Sequence, residues 1–239
     1  MHKEFKIYQA NVGKMSETQH SIMNAEYLKE FALLLIQEPY VYQDEEKKWQ
    51  PGPRKHMYWN PLLLGPDEDN SRPRAMIWTH KDLTARPINT YSPDLAAVLL
   101  PESLHNINRI VDETRRGQRN RVELIIAGDH IGTTDRQGEA EGIIDLMADM
   151  DLQSAAPRRV ATWHSRDDTR ETTIDLILIT PELMNEVCRC TIDSIEHGSD
   201  HSAIQTELVI EWQSPNAKPR RLWRKTRWIK IRRIVEAIK

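Results

Sequence analysis

Six side chains capable of chemistry stand where strand-like segments of the sequence end or pass a sheet edge: Asn11, Glu38, Asp129, Asp175, Asp200 and His201. A strand that carries a carboxylate to a sheet edge is a common way to build a metal site, and a histidine beside a carboxylate is a unit for holding and moving protons. Each residue alone also has a plain structural use, because acids at strand ends cap helices or face water and asparagine makes turns. Asp175 is harder to explain that way. It interrupts Thr172-Thr-Ile-Asp-Leu-Ile-Leu-Ile-Thr180, a run read as one mostly apolar strand. A carboxylate buried there needs a partner, and a histidine is a natural one.

The elements that must position these residues follow from periodicity. Residues 5–12 read as a first strand ending at Asn11, followed by a helix over about 16–30 with Ile22, Met23, Tyr27 and Leu28 at helical spacing. Ala32-Leu-Leu-Leu-Ile-Gln-Glu-Pro39 is apolar without interruption and reads as a central strand buried on both faces, with Glu38 at its end. Residues 43–73 are polar and read as a surface excursion. Further strands are expected at 74–79, 94–101, 122–127, 161–163, 172–180, 190–195 and 203–210, the last two flanking Gly198-Ser-Asp-His201. Helices are expected at 102–120, ending near Gly117, at 136–152, where Ile143, Ile144, Leu146, Met147 and Met150 would pack on a sheet, and at 181–187. Strands interspersed with helices, and no internal repeat, indicate a layered α/β protein.

A chain of 239 residues suffices for one large domain. Its net charge of −3 conceals a basic stretch, residues 218–233, with nine Lys or Arg and no acid. That asymmetry sets a basic linker or tail, 213–239, apart from an acidic body, 1–212. In the tail, Trp223 and Trp228 among the cations suit backbone phosphates and stacked bases, or equally a linker helix whose aromatics pack and whose charges are solvated. Cys188 and Cys190 give neither a disulfide framework nor a four-ligand zinc site, and His130, His164 and His197 lack the spacing of a helical ligand pair. Gly128 and Gly132 do not form a phosphate-cradling loop. The N-terminal residues lack a signal-peptide core, and no run of about 18 apolar residues occurs, so the expectation is a soluble intracellular protein without membrane partners.

Taken in order, Ile36-Gln-Glu-Pro-Tyr40, Ala127-Gly-Asp129, Thr173-Ile-Asp-Leu-Ile177 and Gly198-Ser-Asp-His-Ser202 resemble the endonuclease/exonuclease/phosphatase superfamily. Within it the chain is most similar to the apurinic-type endonuclease domain of LINE-type non-LTR retrotransposons, over residues 6–210. The resemblance implies an α/β four-layer sandwich, DNase I-like, of two mixed β-sheets flanked by helices, with the active site at one edge. It implies metal-dependent hydrolysis of phosphodiesters in DNA, with magnesium or manganese as cofactor, and a nuclear location. By the same resemblance Glu38 and Asp200 would serve the metal, and Asn11 would order the metal shell or phosphate. His201 would contact the scissile phosphate, Asp175 would fix its tautomer, and Asp129 would orient or deprotonate the attacking water.

Two departures from the family pattern bear on activity. The family strand ends Gly-Asp-x-Asn, and Ile131 stands where that asparagine would donate to the phosphate. A strand with a Ser-x-Tyr-x-Pro pattern is expected before the segment 104–115 and is missing; Tyr91 lies on the wrong side of the Val98 strand to replace it. The expectation is therefore a DNA-nicking endonuclease domain of retrotransposon origin with impaired activity, whose full-length ancestor carried a reverse transcriptase. The alternatives are a catalytically inactive, nucleic-acid-binding remnant of such a domain and a phosphatase of small substrates.

Overall fold

The computed structural model describes residues 3–63, 70–88, 90, 92–100, 125–129, 136–167 and 169–212. Its frame is a six-stranded mixed sheet in the order β14-β15-β1-β2-β6-β5, formed by β14 (Val187–Ile192), β15 (Ile204–Trp212), β1 (Lys3–Asn11), β2 (Leu33–Gln37), β6 (Ala75–His80) and β5 (Trp59–Leu62). The β1–β2 pair is parallel, with Asn11 opposite Gln37, and the remaining pairs are antiparallel. A three-stranded antiparallel sheet, β10-β13-β9, comprises β10 (Gln153–Ser154), β13 (Asp175–Ile179) and β9 (Ile125–Asp129).

Alternation along the strands decides what lies between the layers. Phe5 and Ile7 of β1, Leu33 of β2, and Ile204 and Leu208 of β15 point to one face of the large sheet, where they meet Ile177 and Ile179 of β13. Tyr8, Ala10 and Val12 point to the other face and pack with Leu34, Ile36, Met76 and Trp78. Helix α1 (Ser16–Asn24) and a 3₁₀ turn at Glu26–Glu30 cover that second face through Ile22, Met23 and Leu28. Since both of its faces are covered, β2 is apolar at nearly every position, as its uninterrupted run indicates. The sandwich class implied by the resemblance is the observed one.

Several elements differ from expectation for identifiable reasons. The expected helix 16–30 breaks at Ala25, which is extended, while the Asn24 amide donates back to the His20 carbonyl and ends the α-helical run. The excursion 43–73 contains β4 (Trp49–Pro51), which forms a hairpin with β3 (Val41–Gln43) at its start, as well as β5. Pro61 hides β5 from a sequence reading, and it is tolerated because β5 is an edge strand. The run 172–180 is two strands, β12 (Glu171–Thr172), paired with β11 (Trp163–His164), and β13, so that Asp175 opens a strand. The strand expected at 94–101 shortens to β8 (Ala97–Leu99) and, among the described residues, pairs only with β7 (Arg86–Ile88).

Helix α2 (Arg136–Asp149) forms, but Ile144, Leu146 and Met150 are exposed, and of the positions expected to pack Ile143 and Met147, one turn apart, share a half-buried stripe. Helix α3 shortens to Pro181–Met184. The helix expected at 102–120, Tyr91, His130, Ile131 and the segment 213–239 lie outside the described residues, as does the place where the family strand is expected to be missing. Leu34 has none of its surface exposed, so Leu34→Ala is expected to cost about 2–5 kcal/mol in urea unfolding. Val209→Ala, at an exposed position of β15, is expected to change stability by less than about 0.5 kcal/mol in the same measurement.

Candidate functional site

The layer between the two sheets is apolar at one end and polar at the other. Along β1 its residues run Phe5, Ile7, Gln9, Asn11; along β2 they run Leu33, Leu35, Gln37; and β13, read backwards, runs Ile179, Ile177, Asp175. Register then places the Asp129 backbone of β9 directly opposite Asp175. The side chain of Asp129 lies outside the described residues. A Cβ added to Gly128 would sit 3.8 Å from Gln37 Nε2, so β2 and β9 approach each other at this polar end. Gln9 and Gln37 are buried and their amide groups find no hydrogen-bond partner among the described residues, which costs about 1–3 kcal/mol for each unsatisfied group. Neither glutamine was singled out by sequence; the available signal was a polar residue recurring on an otherwise apolar strand face.

At this end Asp175 and His201 form a buried pair, Nδ1 to Oδ2 at 3.0 Å. An ionised carboxylate only accepts, so this contact puts the proton on Nδ1 and turns Nε2, on the opposite ring edge, into the acceptor of a neutral imidazole. The turn that delivers His201 begins at Gly198, whose φ of +83° favours glycine. Ser199 then fastens the turn to β1: its hydroxyl donates to the Asn11 carbonyl at 2.6 Å and accepts the His201 N–H at 3.1 Å.

Glu38 follows the last residue of β2 with φ of +45°, an unusual conformation for a residue with a side chain. Its backbone is held from both sides, the N–H donating to the Arg74 carbonyl and the carbonyl accepting from the Lys14 N–H, each at 2.8 Å. Gln19 of α1 accepts the Tyr40 N–H at 2.9 Å and secures the segment beyond. The Glu38 carboxylate reaches the Lys14 ammonium at 3.3 Å, so it already faces a cation. Asn11 is buried beside the same strand ends, and its Oδ1 accepts the Gly13 N–H at 2.9 Å. Asp200 is engaged elsewhere, taking the Trp163 indole N–H on Oδ2 at 3.1 Å.

These donors are oxygens, the preference of a hard divalent cation. Among the described residues no three His, Cys, Asp or Glu side chains gather closely enough to hold an ion unaided. A cation here would therefore keep much of its water, as magnesium does when one or two carboxylates bind it. The residues present fit such an ion, with Asn11 opposite Gln37 and so beside Glu38 at the paired strand ends.

The sequence model of the endonuclease-reverse transcriptase family matches residues 86–205, just over half of the chain. The chain belongs to that family. Asp129, Asp175, Asp200 and His201 fall inside the matched stretch, and Asn11 and Glu38 precede it. Among solved structures, the endonuclease domain of the telomere-specific non-LTR retrotransposon TRAS1 is similar at 15% identity, with a TM-score of 0.59 over 85% of this chain and 98% of that one. An AP endonuclease from Leishmania major matches at 14% identity and a TM-score of 0.57, covering 86% and 88%. A 3'-5' exonuclease from Neisseria meningitidis matches at 16% and 0.57, covering 87% and 100%. At such identities the likeness is one of fold alone. No curated protein matches the sequence.

Behind the site of this endonuclease-reverse transcriptase family member, on the opposite face of the large sheet, a second polar group braces the segment leading to Gly198. Tyr8 and Tyr27 both donate to Asp193 Oδ2, the former at 2.9 Å. With the Tyr27 proton so used, His197 donates from Nε2 to the Tyr27 oxygen at 3.0 Å and accepts from Ser21 at Nδ1, 2.8 Å away. Burial raises the Tyr8 and Tyr27 pKa values and lowers that of His197, with Asp193 opposing the last shift.

The unfolded chain thus takes up a proton that folded His197 resists. Its contribution to stability is complete above the ordinary histidine value of 6.5 and is lost as pH falls through the lower folded value. On acidification from about pH 7.5 to about pH 5.5, the urea midpoint of the wild-type protein is expected to fall more steeply than that of His197→Asn.

Proposed function

We propose that this domain is a metal-dependent phosphodiesterase, a DNA-nicking endonuclease of retrotransposon origin, working in the nucleus on DNA. The observation that carries the reading is the buried Asp175–His201 pair at the polar end of the inter-sheet layer, beside the ends of β1 and β2 that bear Asn11 and Glu38. DNA as substrate is further supported by the nuclease neighbours, which include a retrotransposon endonuclease and an exonuclease.

In this reading Glu38 and Asn11, with Asp200 released from Trp163, hold magnesium or manganese, which when bound would screen charge developing on the leaving oxygen. His201 keeps its proton on Nδ1 through Asp175 and offers Nε2 to the phosphate region. Asp129, entering from β9 opposite Asp175, orients or deprotonates the attacking water. Ile131 supplies no donor where the related pattern has asparagine. Loss of one such preorganised donor costs about 2.7–4 kcal/mol, roughly 10²–10³ in rate, so the nuclease is slow.

Slow nicking of supercoiled plasmid in magnesium is the expected result. Glu38→Ala and His201→Ala are each expected to lower it by about 10²-fold or more, and undiminished nicking in both would refute the site. Ile131→Asn is expected to raise the rate, toward the roughly 10²–10³ that one donor contributes.

The basic stretch 218–233 favours a second reading, a non-catalytic nucleic-acid-binding remnant in which residues 213–239 form the contact or a linker to a further domain such as a reverse transcriptase. That reading expects salt-dependent DNA binding without cleavage. Deletion of residues 214–239 would abolish the binding; binding that survived the deletion would exclude it.

A further inference from the structure

The residue that joins the two halves of the Asp175–His201 pair carries no charge. Thr162, immediately before β11, is 1% exposed. Its Oγ1 accepts two backbone N–H groups, those of Ile174 and Asp175, each at 3.0 Å. Its own N–H donates to the Thr172 carbonyl at 2.9 Å, and its carbonyl accepts the N–H of Ser202 at 2.7 Å. The next residue, Trp163, forms a β-bridge with His201. One side chain therefore grips the backbone of the acid while the same residue's carbonyl grips the backbone beside the imidazole.

We infer that Thr162 is a positioning residue that sets the spacing of Asp175 and His201 for phosphodiester hydrolysis. The inference deepens the nuclease reading and rests on it for its catalytic consequence, whereas the geometric part stands by itself. The gap between β12 and β13, residues 173 and 174, is where this matters: the strand pairing of β12 with β11 stops at Thr172, and the pairing of β13 with β9 starts at Asp175. Without an acceptor at Thr162, the N–H groups of Ile174 and Asp175 lose their partners in a buried setting. The backbone then shifts to find others, and the carboxylate moves relative to an imidazole whose backbone is held separately by Ser199. A hydroxyl is required for this, and a methyl of the same size does not serve.

Thr162→Val removes the acceptor at constant shape, and Thr162→Ser keeps it. Misplacement of reacting groups by about 1 Å costs on the order of 10²-fold, so Thr162→Val is expected to lower kcat for plasmid nicking by about 10–10²-fold with KM unchanged. Thr162→Ser is expected to stay within about threefold of wild type, since its acceptor is intact. Equal losses in the two variants, or a loss confined to KM, would overturn the inference.

A second readout is independent of activity. The His201 Nδ1–H proton, bonded to Asp175, should give a slowly exchanging low-field NMR signal in the wild type and Thr162→Ser and lose it in Thr162→Val; a retained signal in Thr162→Val would overturn the proposal even if no variant nicks DNA. Should Thr162→Val fail to fold, amide exchange in the wild type decides. Ile174 and Asp175 should exchange as slowly as Ile177, and fast exchange at either would overturn the clamp. A wild type that never nicks DNA, yet shows the protected proton and amides, refutes the nuclease reading alone.

Discussion

A carboxylate with 2% of its surface exposed, as at Asp175, requires a partner, because removing an unpaired charge from water costs far more than any one contact in the fold returns. The requirement reaches outward from that atom. His201 must arrive at Nδ1, so the turn from Gly198 must bend sharply and be pinned to β1 by Ser199. Asp175 must sit at the first position of β13, so the run before it must break, and Thr162 fills the break. Removing one member leaves a buried charge or a buried donor alone, which is why the arrangement behaves as a unit.

The polar end of the inter-sheet layer is a place where stability is given up. Gln9 and Gln37 lie among residues that elsewhere on the same strands are Ile and Leu, and their side-chain amides make no hydrogen bonds among the described residues. Glu38 holds a backbone conformation that ordinarily belongs to glycine. The large apolar cluster that begins one residue pair away, at Ile7 and Leu33, supports these departures. Sites of this type concentrate strain and unsatisfied polarity where a ligand would relieve them.

What could be read from the sequence was whatever local pattern dictates. β2 declared itself through an unbroken apolar run, and Asp175 through a charge inside another. The pairing of Asp175 with a histidine followed from burial alone, and His201 became the specific choice through its motif. The missed features depend on partners distant in the chain. Pro61 argued against a strand because its edge position is a tertiary fact. Thr162 looked like any β-branched strand residue, since nothing local marks a hydroxyl that will bond to amides 12 and 13 residues away. The Tyr27–Asp193–His197 group joins positions whose sequence separation exceeds 160 residues, and none of the three types is informative singly. Asp200 was read as a metal-site residue by resemblance, and its indole contact depends on how β11 packs.

β1 lies between β2 and β15, its one neighbour only about twenty residues onward and the other beginning at Ile204. A chain emerging from a ribosome can therefore pair one side of β1 early but must leave the other edge open until it has grown past Ile204. Closure by β15 is also the event that brings in the histidine-bearing turn, so completion of the sheet and assembly of the site are a single late step. A product that stopped short of Ile204 would carry Asn11 and Glu38 on a sheet whose β1 edge is still unpaired.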